Sequence, residues 1–356
     1  MENHLFVKGK DMNTASSHDS HHASGCGCDG QCAICTCQKP DVARRKRPIL
    51  WFLGVFGVLI LLVVTAWAHA ATAAGGPGEP GLLIIAHGSP AKAWNQPVLA
   101  QEKKVRDLLG QDNPFGEIQV VFMEFAEPNV ADGMQALQQA GCSRIVAVPL
   151  LIAPSSHSHW DIPALLGLYS DPRIEKTLRE EGARLIRCDI PVTLTTTLSD
   201  SDVIERVMLK RVRALSTDPN HEAVVLLAHG SEAIPGPWED FMKRTATYLC
   251  GKTGITYANW ACVAVGQEYG RAAAAIEAAA RHRDRMIVVG AYLSSGVRRM
   301  HKRWMDRFED GQAEMPGLEN PLKGLDLALS EQGLLPDDLV AEWIVATARD
   351  EIARHP

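Results

Sequence analysis

Short, unbroken apolar runs alternate with longer mixed stretches along most of the chain. In the first half the apolar runs are LLIIAHGS at Leu82–Ser89, IQVVFMEF at Ile118–Phe125 and IVAVPLLI at Ile145–Ile152. Runs of this length are typical of strands buried on both faces of a parallel sheet. The stretches between them, residues 96–109 and 129–140, are interpreted as helices. This alternation predicts an α/β fold in which a parallel sheet is flanked by helices.

The same order of elements occurs a second time. The triplet His-Gly-Ser begins at His87 and again at His229, each time after an apolar run. The second half supplies further predicted strands and helices: Val225–Ser231, Trp238–Cys250, Tyr257–Val265, Arg271–Arg281 and Met286–Leu293. We therefore expect two duplicated lobes at residues 81–215 and 216–356, with a packing helix at Asp337–Arg354. Two lobes in one chain predict a protein that functions as a monomer.

Residues 49–68 form an apolar stretch without a single charged residue. About 20 such residues are needed to cross the hydrocarbon core of a bilayer, so we expect one transmembrane helix within residues 48–70, followed by a Gly/Pro linker at residues 71–80. Residues 44–47 read Arg-Arg-Lys-Arg, and the next Lys or Arg is Lys92. This charge bias predicts a single-pass membrane protein with a cytoplasmic N-terminus and an extracytoplasmic (periplasmic) catalytic domain. A cleaved signal sequence is the alternative.

Residues 1–47 have no apolar periodicity and are predicted to be a disordered tail. The tail is rich in His and Cys, and its candidate metal ligands are Cys26, Cys28, Cys32, Cys35 and Cys37. Closely spaced thiolates can enclose a soft or borderline metal ion. The other interpretation is a flexible tail whose thiols have no specific partner. The net charge of −6 and the pI of about 6.1 argue against a nucleic-acid-binding protein.

Candidate ligands follow the predicted strands of both halves. Ligands of open α/β sheets collect at the carboxyl ends of the strands, where the first half places His87, Glu124 and His157 and the second half places His229, Glu268 and His301. Two imidazoles and one carboxylate suit Co, Fe, Ni or Zn without choosing sharply among them. An imidazole can also accept a proton near neutral pH, as insertion of a metal into a tetrapyrrole requires. A lone His at a strand end is commonly structural, so the repetition strengthens the functional interpretation.

Three motifs of the first half resemble the sirohydrochlorin cobaltochelatase family of class II tetrapyrrole chelatases. They are AHGS at residues 86–89, FMEFAEP at residues 122–128 and HSHWDIP at residues 157–163. The resemblance implies chelatase-like lobes, a role in cobalamin biosynthesis, and insertion of a divalent metal into sirohydrochlorin or a related tetrapyrrole. It also implies that no ATP or other nucleotide is used. Cobalt is the first candidate metal, with Fe²⁺ or Ni²⁺ as alternatives.

By position, the resemblance makes His87, Glu124 and His157 the catalytic and metal-binding residues. The second half departs from the family motifs, because its Glu268 lies in Gly-Gln-Glu-Tyr-Gly. Carboxylates of the macrocycle are expected to bind at Ser89, Arg298 and Arg299. The alternative function is a membrane-anchored protein that binds or delivers a metal or tetrapyrrole without turnover.

Overall fold

The computed structural model describes residues 78–264, 269–309 and 320–355, all within one compact unit of the chain. These residues form two sheets of four parallel strands each. The strands are β1 Gly81–Ala86, β2 Glu117–Phe122, β3 Ile145–Pro149, β4 Val192–Leu194, β5 Glu222–Ala228, β6 Ala258–Cys262, β7 Arg285–Ala291 and β8 Asp326–Leu329. The helices are α1 Lys92–Leu109, α2 Val130–Gln139, α3 Ile162–Leu165, α4 Pro172–Glu180, α5 Val203–Leu215, α6 Pro235–Thr253, α7 Gly270–Ala280, α8 Val297–Glu309 and α9 Asp338–Arg354.

The two sheets have the same topology. The N-terminal lobe has the strand order β2-β1-β3-β4, and the C-terminal lobe has the equivalent order β6-β5-β7-β8. In the first sheet Ala86 lies beside Phe122, and in the second Ala228 lies beside Cys262. The two pairs mark the same level in the two lobes, which allows them to be compared residue by residue. The predicted α/β fold with parallel sheets flanked by helices is confirmed.

The central strands β1, β3, β5 and β7 are buried on both faces, as their apolar runs predict. In β1 the side chains of Leu82 and Ile84 point into a core that both lobes share, whereas Leu83 and Ile85 point into a separate core beneath α2. Strand β5 divides its side chains in the same way between the shared core and a core beneath α7. Successive strand residues face opposite sides of a sheet, so one apolar run serves two cores.

The final helix of each half packs on the other half. Helix α5 closes the N-terminal half of the sequence but lies against α6 and β7 of the C-terminal lobe. Helix α9 closes the chain and lies against α1 and β3 of the N-terminal lobe. The apolar face predicted for the last helix is buried, since Leu339, Ile344 and Ala348 belong to the shared core. The sequence pattern predicts this buried face but not the lobe that receives it.

No helix in the described ranges is long and apolar enough to cross a membrane. The longest, α6, has 19 residues and carries charged side chains, among them Glu239, Asp240 and Arg244. On this finding we correct the predicted localisation, and the single-pass topology with an extracytoplasmic catalytic domain is withdrawn. The predicted span at residues 48–70, the linker up to residue 77 and the Cys/His-rich tail lie outside the described residues.

Candidate metal centre

The loop after β1 brings two of the predicted ligands together. His87 directly follows the strand, and its backbone carbonyl oxygen accepts a hydrogen bond from the Glu124 N–H at 3.0 Å. Gly88, which follows His87 and lies against the backbone of Glu124, has a φ of +97°. A Cβ atom on Gly88 would lie 1.9 Å from the Glu124 carbonyl oxygen. Only glycine combines this backbone conformation with so close an approach, so the His-Gly pair sets the distance between His87 and Glu124.

His157 reaches the same place from a different local structure. It begins a π-helical turn, His157–Asp161, after β3 and its loop. Such wide turns are rare and occur frequently at functional sites. Here the turn aligns His157 Nδ1 with Asp161 Oδ2 at 2.7 Å. The carboxylate therefore holds the imidazole from behind.

The three predicted ligands of the N-terminal lobe form one cluster. One ligand atom each of His87, Glu124 and His157 lie within 4.8 Å of one another, and all three side chains are partly buried. The two imidazole rings are 4.8 Å apart at 73°. Within the described ranges this is the one group of three or more His, Cys, Asp or Glu side chains placed to hold a metal ion.

Hydrogen bonds fix which nitrogen of each imidazole is free. His87 Nδ1 lies 3.0 Å from the Gly88 carbonyl oxygen. Carbonyl and carboxylate oxygens accept hydrogen bonds, so Nδ1 of both His87 and His157 carries the proton. Each ring then presents an Nε2 lone pair, which is the arrangement found in metal-binding histidines.

The two histidines differ in their affinity for protons. Burial lowers the pKa of His87 below its ordinary value, although the hydrogen bond to the Gly88 carbonyl oxygen and the charge of Glu124 oppose this shift. Burial would also lower the pKa of His157, but the hydrogen bond and charge of Asp161, together with Glu124, raise it above its ordinary value. His87 is therefore the neutral ligand near pH 7, and His157 is the better proton acceptor.

Two acidic groups near the cluster, Asp161 and Glu181, are not among the predicted site residues. Asp161 follows His157 by four residues, a spacing that could have indicated the contact. Glu181 comes just after α4, and nothing in its sequence context indicates the site. Burial and the charges of Glu124 and Asp161 raise the pKa of Glu181. The centre is thus more acidic than its three predicted ligands, which favours a divalent cation.

Within the described residues, the C-terminal lobe repeats the histidine loop but has no acidic residue at the level of Glu124. His229 Nδ1 lies 2.9 Å from the Gly230 carbonyl oxygen, as in the first loop. Glu124 lies two residues beyond the Phe122 level, and the equivalent residue beyond Cys262 is Ala264. The equal Glu-to-His spacing of 33 residues in the two halves therefore does not by itself identify the residue at the level of Glu124.

The two remaining predicted ligands of the second half are not seen at a common centre. Glu268 lies outside the described residues. His301 lies on α8 beside Tyr269 and Trp304, with ring centres 5.7 and 6.2 Å away. The metal-binding role assigned to Glu268 and His301 stays a prediction.

The second histidine loop faces the cluster of the first lobe. Trp238, at the start of α6, donates a hydrogen bond from Nε1 to the Pro154 carbonyl oxygen at 2.8 Å. Pro154 precedes the turn that carries His157, and the Trp238 ring centre is 6.3 Å from that of His229. His229 is exposed, and its charge acts on His87. The cluster therefore opens toward the C-terminal lobe.

The predicted carboxylate-binding residues occupy separate surroundings. Ser89 Oγ accepts a hydrogen bond from the Ala91 N–H at 3.1 Å, just before α1. Arg298 and Arg299 are exposed on α8, and Arg298 lies 3.5 Å from a Glu331 oxygen. No described contact joins these arginines to the His87 cluster. The cysteines of the predicted tail site lie outside the described residues.

The exposed Phe125 is also not among the predicted site residues. The residue follows Glu124, has 61% of its surface exposed and adopts a φ of 61°. Its ring centre is 5.9 Å from that of His87, with 32° between the ring planes. Sequence patterns place it in a strand, but β2 ends three residues earlier. The outward ring depends on loop geometry that hydrophobic periodicity does not encode.

The chain is similar to known proteins of one family. The CbiX family model matches residues 81–215. A sirohydrochlorin cobaltochelatase of Saccharolobus solfataricus is 32% identical over 132 residues, which is 37% of this chain and 92% of the relative. The aligned length corresponds to about one lobe, and the residues matched by the family model are those of the lobe that contains His87, Glu124 and His157.

Solved structures show the same fold over both lobes. SirB from Bacillus subtilis with Fe³⁺ matches with a TM-score of 0.54 and 18% identity, covering 78% of this chain and 96% of SirB. The cobalt complex of the sirohydrochlorin chelatase SirB from Bacillus subtilis subspecies spizizenii gives a TM-score of 0.52 and 15% identity, covering 78% and 97%. The resemblance seen in the three sequence motifs is thus confirmed, and the chain belongs to the CbiX family of sirohydrochlorin cobaltochelatases and is a metal chelatase.

Proposed function

We propose that this protein inserts a divalent metal, Co²⁺ as the first candidate, into sirohydrochlorin without ATP. The cluster of His87, Glu124 and His157 carries the proposal, because it offers three convergent ligand atoms at a partly open edge of the sheet. The name of the Saccharolobus relative supports cobalt and sirohydrochlorin. The two SirB structures hold Fe³⁺ or cobalt, and a His/Glu donor set accepts either metal.

The different proton affinities of the two histidines suggest different tasks. His87, whose pKa is lowered, offers a neutral Nε2 to the metal. Glu124 supplies a negative charge that stabilises the cation before transfer. His157, whose pKa is raised, takes up one of the two protons that leave the pyrrole nitrogens as the metal enters the ring, and Glu124, released by the metal, takes up the other. Asp161 stabilises the resulting imidazolium, since its carboxylate already holds the Nδ1 proton.

We assign metal binding to the lobe at residues 81–215 and the opposite wall of the site to the lobe at residues 216–356. The shared core and the exchanged helices support this division of labour within one monomer. Ala264 at the level of Glu124 supports this assignment, because among the described residues the second lobe has no carboxylate at that position. Ser89, Arg298 and Arg299 remain the proposed contacts for the macrocycle carboxylates.

Turnover by the full-length chain tests the proposal. Purified protein is mixed with sirohydrochlorin and Co²⁺, and the absorbance change of metal insertion is followed. The double variant His87→Ala, His157→Ala should lose the enzymatic rate. The matched control is His282→Ala, which removes an imidazole stacked on Tyr257 at 4.5 Å, away from the cluster. It should keep the wild-type rate.

Two results would contradict the proposal. Absence of turnover with Co²⁺, Fe²⁺ and Ni²⁺ by folded protein would exclude the chelatase activity. Stoichiometric binding of metal or tetrapyrrole without turnover would favour the alternative, a binding or delivery protein.

A further inference from the structure

We infer that Phe125 is a substrate-binding residue, whose ring makes an edge-to-face contact with the tetrapyrrole and holds it at the level of the His87 imidazole. This inference rests on the proposed function for its ligand, a flat conjugated macrocycle. It assigns a role to a side chain outside the metal-binding set.

The position of Phe125 has two energetic costs. Its ring is 61% exposed, the largest value among the exposed large apolar side chains of the described residues. Its φ of 61° is also the one positive value at a non-glycine position in the described ranges. Left-handed backbone is unfavourable for residues with a Cβ, and such outliers cluster at ligand sites.

The neighbours of Phe125 show that the outward ring is not a general feature of this loop. Met123 is buried in the core beneath α2, and Ala126 packs against the shared core. Between them the chain directs Glu124 to the metal cluster. Both apolar neighbours are thus used for packing, whereas Phe125 leaves its ring beside the metal site.

The ring geometry specifies the kind of contact. A metal bound to His87 Nε2 lies in the plane of the imidazole, so a macrocycle that receives this metal axially lies roughly perpendicular to that plane. The Phe125 ring is inclined by 32° to the imidazole. The plane of the Phe125 ring therefore makes a large angle with the plane of the macrocycle. Edge-to-face is a preferred arrangement of aromatic pairs, with ring centres about 4.5–7 Å apart.

The test compares four substitutions in the full-length chain: Phe125→Ala, Phe125→Gly, Phe125→Leu and Phe125→Trp. For Ala and Gly we expect KM for sirohydrochlorin to rise about tenfold, as loss of an aromatic contact and its buried area predicts. Leu keeps apolar area without the ring and should fall between them and wild type. Trp should stay closest to wild type.

Two further readouts separate substrate binding from a structural role. Co²⁺ binding without tetrapyrrole should stay within about twofold of wild type in all four variants. Phe125→Gly should melt at the same or a higher temperature than wild type, because glycine tolerates the positive φ. A gain in thermal stability with a loss of substrate affinity is not expected for a side chain that only stabilises the fold.

The matched control is Leu108→Ala, which truncates an apolar side chain with 47% exposure near the far end of α1. It should leave KM unchanged. Wild-type KM in Phe125→Ala and Phe125→Gly would overturn the inference. A parallel loss of Co²⁺ affinity would also overturn it, since the ring would then support the metal ligands.

If the wild-type chain binds sirohydrochlorin but does not turn it over, the proposed function fails separately. Equilibrium titration of the metal-free tetrapyrrole then decides the role of Phe125. Weaker binding by Phe125→Ala supports the contact, and equal binding refutes it.

Discussion

Replacement of Asp161 by Asn tests how far the centre depends on the carboxylate behind His157. Asp161 Oδ2 accepts the His157 Nδ1 proton at 2.7 Å, and the two side chains are 22% and 30% exposed. Asn preserves the shape of the side chain but removes its charge. We expect the His157 imidazole to be held less firmly and its pKa to fall, because burial is then opposed less strongly.

The magnitude follows from the partial burial of the pair. Exposed ion pairs contribute about 0–1 kcal/mol, whereas breaking a fully buried pair costs about 3–5 kcal/mol. Loss of the group that orients a metal-binding histidine typically reduces affinity or activity by about 10–100-fold, or about 1.4–2.7 kcal/mol. A pair with about a quarter of its surface exposed should lie in this range. We therefore expect a decrease of about 10–100-fold in both kcat/KM and Co²⁺ affinity.

The pH dependence of the rate gives an independent test of the direction in which the His157 pKa is shifted. Metal binding requires His157 without its second proton, so the rate falls on the acidic side as this residue becomes charged. The pKa of His157 is raised in the native protein, which places this acidic limb at a higher pH than an unperturbed histidine would. In Asp161→Asn the limb should move to lower pH.

The assay measures sirohydrochlorin turnover with Co²⁺ across pH, together with a titration of Co²⁺ alone. The control is Asp284→Asn, which removes the same kind of contact from His221 at 2.9 Å, where both side chains are well exposed. It should change neither rate nor affinity by more than about twofold. Wild-type Co²⁺ affinity with an unshifted pH profile in Asp161→Asn would refute the reasoning.

Three further outcomes are expected. Gly88→Ala should lower the chelatase rate about 100-fold or more and the stability by more than about 2 kcal/mol, because its Cβ would collide with the Glu124 carbonyl oxygen at a position of positive φ. In urea unfolding measured across pH, Glu222→Gln should lose less stability on acidification than the wild type does. Burial would raise the pKa of Glu222, but its hydrogen bonds lower it to about 2, so about 3 kcal/mol present above pH ~4.5 is lost as the pH falls toward 2. His301→Ala should leave Co²⁺ affinity unchanged if the metal centre is confined to the N-terminal lobe.

Matched variants control for these effects. Gly110→Ala has a positive φ of 57° but nothing within 4 Å of the added Cβ, so it should cost about 1–3 kcal/mol of stability and leave the rate unchanged. Asp326→Asn removes the exposed second carboxylate near Arg285, 3.4 Å away, and should keep the wild-type acid profile. Equal behaviour within either pair, or loss of Co²⁺ binding in His301→Ala, would contradict the respective prediction.

The sequence predicts most of the sheet because strands buried on both faces need unbroken apolar runs. It does not predict β4 and β8, which have three and four residues and little apolar pattern of their own. The cluster of the N-terminal lobe is accessible from sequence because three strand ends of a parallel sheet share one edge. In the second lobe the equal spacing of the predicted ligands does not indicate that Ala264 lies at the level of Glu124.

Loop conformation accounts for most of what the sequence leaves open. The exposed position of Phe125 depends on its own positive φ beyond the end of β2. The residue type at this position does not predict that conformation. The contribution of Glu181 depends on where α4, the helix that precedes it, lies in the tertiary structure. Both are tertiary effects, which neither periodicity nor motif spacing records.

The exchange of α5 and α9 makes each half of this chain structurally dependent on the other. A fragment ending at residue 215 would keep α5 with no second sheet to cover and would lack α9, leaving α1 and β3 uncovered. Two such fragments could bury these uncovered surfaces only by exchanging helices, as subunits of a domain-swapped dimer do. The full chain therefore corresponds to a swapped pair joined covalently, and unfolding of either half should remove the other half's support in the same step.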